Sequence, residues 1–131
     1  MSINVAFSAF PASTIDFDSG ITVKYDSIVT NIGGFYNPET SIFTCPTDGI
    51  YLFSVSFYTY DNRLMTGNIV RDGTVLLQLY SDFEEDQQAS TTVLTECLAF
   101  DSVWVECAED NSELRSGRRS SFSGVLITEY V

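Results

Sequence analysis

Thr30-Asn31-Ile32-Gly33-Gly34-Phe35-Tyr36-Asn37-Pro38, followed by Phe43-Thr44-Cys45-Pro46 and then Gly49-Ile50-Tyr51-Leu52-Phe53, decides the fold. The stretch runs from a glycine-rich turn through an aromatic pair into a short strand, a second turn and a strongly alternating strand. Little of it suits a helix. Its β-branched and aromatic residues are punctuated by Gly, Pro and Asn, the signature of an all-β domain.

Outward from this stretch, period-2 alternation continues. Tyr51, Phe53, Val55 and Phe57 fall on one face, with Leu52, Ser54, Ser56 and Tyr58 on the other, so residues 51–59 read as a long strand with an aromatic, core-facing side. Ile69-Val70-Arg71 and Val75-Leu76-Leu77-Gln78-Leu79 read as a hairpin turned by Asp72-Gly73. Residues 91–99 and 102–107 form a pair of β-rich runs around Phe100-Asp101, and residues 120–130 supply a last strand with Gly124 inside it. Glycine within a strand marks a close approach, to a neighbouring side chain or to another subunit. Further strands fit residues 5–10, 21–25 and 42–44. About ten short strands separated by turns predict an all-β, two-sheet jelly-roll sandwich.

These residues resemble the globular head of complement C1q and its relatives. The opening stretch follows the pattern T-N-x-G-x-x-Y-N, then F-x-C, then G-x-Y-x-F. Ala6-Phe7-Ser8-Ala9, Val70-Arg71-Asp72-Gly73, Ala89-Ser90, Asp101-Ser102-Val103-Trp104-Val105 and Ser121-Phe122-Ser123-Gly124 continue it in order. The resemblance covers nearly the whole chain. It implies the jelly roll shared with the tumour necrosis factor family, assembly as a trimer, and secretion. No Gly-X-Y repeat occurs, so the chain resembles head-only members of the kind found in invertebrates.

The 131 residues suit one domain spanning 1–131, with 44% hydrophobic and 14% aromatic residues to build a core. Eighteen acidic residues against six basic ones give a formal charge of -12, a field that repels phosphate backbones and anionic bilayers. Nucleic acid and membrane insertion are therefore not expected. No apolar run reaches the roughly 18 residues of a membrane helix, and the N-terminus lacks the pattern of a signal peptide.

The chain has no histidine, which removes Ser-His-Asp and Cys-His nucleophiles and the His-Glu-x-x-His zinc signature. No phosphate-cradling glycine loop occurs, and a non-enzyme is expected. Three cysteines leave at least one unpaired within the chain. Cys45 reads as a small buried thiol. Cys97 and Cys107 flank the Phe100-Asp101 turn an even number of residues apart, so they read either as a cross-strand disulfide or as two small core residues.

Two loops carry chemistry. Asp82, Glu84, Glu85 and Asp86 place four carboxylates within five residues, which reads as a solvated acidic loop or as oxygen ligands for calcium. The resemblance implies calcium ligands in this connection, Asp82 and Asp86 first and Glu84 and Glu85 second. Asp16-Phe17-Asp18-Ser19-Gly20 has the start of an EF-hand loop but Ser27 at its twelfth position, and reads as a turn. Arg115, Arg118 and Arg119 hold half of the basic residues in one short loop. They form a positive focus for a carboxylate or phosphate, unless Glu109, Asp110, Glu113 or a neighbouring subunit pairs them.

Phe35, Tyr36, Tyr58, Tyr60, Tyr80 and Phe83 place rings near strand ends, where they suit a sugar face or the contact between subunits. Tyr36, Tyr58 and Gly124 are the expected trimer contacts. The expected function is non-catalytic recognition: a trimeric, secreted, lectin-like protein of innate immunity that binds microbial or anionic glycans. An acidic calcium- or mineral-binding structural protein and a cytokine-like ligand are the alternatives.

Overall fold

The computed structural model describes residues 3–60, 63–81 and 87–131, and among them there is no helix. In chain order the strands are β1 (Ala6–Phe10), β2 (Ile15–Phe17), β3 (Ser27–Ile32), β4 (Tyr36–Asn37), β5 (Ile42–Thr44), β6 (Gly49–Thr59), β7 (Met65–Arg71), β8 (Thr74–Ser81), β9 (Gln87–Cys97), β10 (Ser102–Cys107), β11 (Ser112–Leu114) and β12 (Ser121–Glu129). Ten of them make two five-stranded sheets, ordered β3-β1-β12-β6-β9 and β4-β5-β10-β7-β8. The expected sandwich is present, with an addition: β2 and β11 pair as a small two-stranded ribbon.

Burial follows the alternation. Along β6 every second residue from Tyr51 to Thr59 is fully buried and the intervening ones are partly exposed. The inner faces meet in an aromatic core. Phe7 lies between Tyr36 at 4.6 Å and Phe43 at 4.8 Å, both stacked, and meets Phe122 edge-on at 4.9 Å. Offset and edge-to-face pairs of this kind stabilise by about 0.5–1.5 kcal/mol each beyond the area they bury. Asp72 and Gly73 both take positive φ, 46° and 85°, as a tight hairpin turn between β7 and β8 requires.

Two expectations are corrected, and the choice left open for Cys97 and Cys107 falls to two small core residues. Residues 21–25 form no named strand; they run beside β10, joined by the Thr22–Glu106 bridge, while Val23 and Tyr25 fill the core. Tyr36 is buried at 2% exposure under Phe7 and donates its phenol to the Tyr25 carbonyl at 2.6 Å, so its ring cannot serve a neighbouring subunit. Cys97 and Cys107 do not face each other, because the turn after β9 carries the chain across to the other sheet. Cys97 pairs with Gly49 and Cys107 with Gly67, and all three cysteines are free thiols.

Gly124 is buried, and its close approach lies within the chain. A Cβ there would stand 2.5 Å from the Phe7 ring and 2.7 Å from the Phe53 ring. The glycine is what allows those two rings to reach the backbone of β12.

Candidate functional site

The loop from Arg115 to Ser120 is held by its backbone. Arg115 N–H donates to the Tyr58 carbonyl at 3.0 Å, Ser116 N–H to the Thr14 hydroxyl at 3.0 Å, and Gly117 N–H to the Pro11 carbonyl at 3.0 Å. Gly117 sits at φ 101°, a conformation that side chains with a Cβ resist. At the far end the Gln88 amide donates to the Arg119 carbonyl at 2.6 Å, and the buried Ser120 hydroxyl accepts from Tyr58 N–H at 2.8 Å. The loop is thus anchored at both ends to the sheet containing β1, β6 and β9.

The side chains then arrange themselves on rings. The Arg115 guanidinium lies 3.0 Å from the centroid of Tyr60, that of Arg119 lies 4.8 Å from Tyr58, and that of Arg118 lies 5.2 Å from Phe10. Tyr58 and Tyr60 meet edge-on at 6.3 Å. Tyr58, Tyr60 and residues 115–119 line an open pocket of about 280 Å³. Each cation-π contact contributes roughly 0.5–1 kcal/mol where exposed, and the rings hold the guanidinium planes without neutralising them.

Among the described residues, neither ion pair involves these arginines. Arg63 takes both, at 2.9 Å to Asp16 and 3.0 Å to Glu113. That removes Glu113 as an internal partner for the loop. Arg115 Nη1 is buried and has no hydrogen-bond partner. Three positive groups in one pocket, with one buried donor unused, can bind an anion by charge-assisted, bidentate hydrogen bonds.

Other expected residues fall elsewhere. Asp82, Glu84, Glu85, Asp86 and Phe83 lie outside the described residues, among which no cluster of three or more metal-ligating side chains occurs. Asp16 is tied to Arg63, and Asp18 accepts from Asn111 N–H at 3.3 Å, consistent with a turn rather than a calcium loop. Phe35 packs against the core and Tyr80 is half exposed on β8.

The register also reveals a surface not foreseen from sequence. On the outer face of the first sheet, Leu94, Leu52, Val125, Ala6 and Ile32 are successive cross-strand neighbours, an apolar row crossing all five strands. The adjacent row is Thr92, Ser54, Ser123, Ser8 and Thr30, every one a hydroxyl. Ser8 and Ser123 are bonded at 2.9 Å, and Thr92 donates to Ser54 at 3.4 Å. Only the outward alternation of β6 hinted at this; assembling the rows needs the pairing of five strands distant in sequence.

With this geometry in place, comparison with known proteins identifies the family. The C1q domain family profile matches residues 6–127, and the chain belongs to that family. Mouse collagen alpha-1(X) chain is 32% identical over 113 residues, covering 82% of this chain and 16% of the relative. A mouse complement C1q subcomponent is 31% identical over 114 residues, covering 84% of this chain and 45% of the relative. The chain therefore spans less than half the length of these curated relatives. Among solved structures, the globular domain of zebrafish complement 1qA protein superposes with a TM-score of 0.79 at 20% identity, covering 96% of this chain and 99% of that one. Murine APRIL superposes with a TM-score of 0.76 at 15% identity over 95% and 99% of the two chains, which shows a common fold.

Proposed function

We propose that this C1q domain is a secreted, trimeric recognition module of innate immunity that binds anionic groups of microbial glycans, a carboxylate or a phosphate, in the pocket of Arg115, Arg118 and Arg119. The observation that carries the reading is a set of three guanidiniums seated on aromatic rings, free of carboxylate partners among the described residues, in a chain of net charge -12. So acidic a chain does not gather half its basic residues at one place for general solubility. The partly exposed Tyr58 and the exposed Tyr60 add apolar ring surface for a sugar beside the charge.

Trimer assembly is supported by the five-strand apolar row on the outer face of the first sheet, in which Leu94 is 62% and Ile32 49% exposed. Contact through that face would cover both rows and leave the arginine loop at its end. Three weak sites on one particle then act together on a repetitive surface.

A glycan array that includes acidic and neutral sugars tests the reading directly. The wild-type trimer is expected to favour carboxylated or phosphorylated glycans, and Arg118→Ala/Arg119→Ala to lose them while keeping its melting temperature. A chelator arm examines whether calcium at the acidic loop contributes. Binding that survives the double variant, or a folded trimer silent on every glycan, would overturn the pocket assignment and favour a protein receptor as the ligand.

A further inference from the structure

The ribbon of β2 and β11 sets two like charges against each other. Asp16 and Glu113 are directly opposed in its register, a placement that destabilises a strand pair unless a cation intervenes. Arg63 supplies that cation with both arms of its guanidinium, Nη1 donating to Glu113 at 3.0 Å and Nη2 to Asp16 at 2.9 Å. The pairing matters more for Glu113, whose side chain is 14% exposed against 68% for Asp16, because a carboxylate withdrawn from water depends on its partner.

The same ribbon leads into the arginine loop. Glu113 N–H donates to the Leu64 carbonyl at 2.8 Å and Arg115 N–H to the Tyr58 carbonyl at 3.0 Å, so β11 and the residue after it run beside the segment that carries Tyr60 and Arg63. Arg63 N–H in turn donates to the Tyr60 carbonyl at 3.2 Å. Ser112 and Leu114 are buried while Glu113 and Arg115 are partly exposed, which places these two on one face, about 7 Å apart along the extended backbone. Two long side chains at that spacing can meet. Arg115, with its buried Nη1 unpartnered, is the cation that a released Glu113 would find next along its own strand.

We infer, resting on the reading of the arginine pocket as an anion site, that Arg63 is its positioning residue: it takes up both carboxylates of the ribbon and so keeps Glu113 off Arg115, whose donors stay open for a ligand. The planar fork of an arginine suits this task, since one guanidinium can answer two carboxylates at once. Without it the ribbon would hold two unpaired carboxylates beside the loop, and Arg115 would answer them in place of an anion.

Calorimetry with inorganic phosphate and with sialyllactose, a carboxylated trisaccharide, tests this on the full chain. Arg63→Gln is expected to bind about fivefold more weakly than wild type, the scale of one partly exposed ion pair made in competition with the ligand. Arg63→Gln/Glu113→Gln is expected to recover the wild-type affinity. Arg63→Gln/Asp16→Asn, which relieves the same repulsion but leaves Glu113 charged, is expected to stay weak, whereas a merely loosened ribbon would be repaired equally by either change. Glu113→Gln alone should remain within about twofold of wild type, because its carboxylate is already taken.

Urea midpoints give a readout that needs no ligand. In the wild-type chain the effects of Glu113→Gln and Arg115→Gln should add; in the Arg63→Gln chain the two together should cost less than their sum, the mark of a new pair. Unchanged affinity in Arg63→Gln, equal rescue by Asp16→Asn, or additive midpoints in both chains would overturn the role of Arg63. If wild type binds neither probe, the anion-site reading falls alone, and the midpoints still decide whether Arg63 holds Glu113 from Arg115. If Arg63→Gln does not fold, an affinity that rises in Glu113→Gln overturns the proposal and an unchanged one supports it.

Discussion

The Arg115 guanidinium lies 3.0 Å from the centre of the Tyr60 ring, while its Nη1 is buried with no hydrogen-bond partner. The ring fixes the plane of the guanidinium and leaves donors for a ligand. Arg115→Lys keeps the charge but gives up the planar stacking and the fork of donors, so anionic-glycan affinity is expected to fall about tenfold. Surface plasmon resonance of the two proteins on one acidic glycan checks this; equal affinities would show that charge alone suffices.

Gly124→Ala is expected to destabilise the domain by about 1–3 kcal/mol. The new methyl would meet Phe7 and Phe53, two buried rings packed against Phe43 and Phe122, at 2.5 and 2.7 Å. Neither can withdraw without disturbing the others. Chemical denaturation monitored by fluorescence gives the value.

Leu52 sits at the centre of the apolar row, between Leu94 and Val125. Leu52→Glu would bury three carboxylates near one another in a trimer that uses this face. The variant is expected to run as a monomer by light scattering while retaining its β-sheet circular dichroism, whereas a persisting trimer would place the contact on another surface.

Tyr36→Phe removes the phenol that donates to the Tyr25 carbonyl at 2.6 Å. A buried acceptor left unpaired costs about 1–3 kcal/mol, and the ring stack with Phe7 is kept. Thermal unfolding of the variant measures this loss.

Alkaline pH acts on the same core. Burial pushes the Tyr36 phenol up to about 12 from its ordinary 10, and Tyr25, buried beside it, is raised well above 10. The folded state therefore holds these protons more tightly than the unfolded chain. The stability they contribute is complete below pH 10 and is lost as pH rises toward 12. Denaturant midpoints between pH 9 and 12 are expected to fall through this window, and less steeply in Tyr36→Phe.

The alternating pattern of residues 51–59, the Asp72-Gly73 hairpin and the glycine-aromatic turns were legible in the sequence because each depends on neighbours a few residues away. So was the basic loop, since charge density is a property of a short segment. Tyr36 as a subunit contact and the bridged reading of Cys97 and Cys107 failed for a related reason: a strand's alternation tells which residues share a face but not what that face packs against. Cys97 and Cys107 share a parity, yet the turn at Phe100 sends them to different sheets, where both are buried free thiols.

Sequence by itself determined an all-β sandwich, the C1q domain resemblance and a loop of three arginines in an acidic chain. Tertiary structure alone decided that those arginines rest on Tyr60, Tyr58 and Phe10, that Gly124 makes room for Phe7 and Phe53, and that Leu94, Leu52, Val125, Ala6 and Ile32 form one row. Those relationships join residues far apart in the chain. Register and sheet packing bring them together, and neither is written in local periodicity.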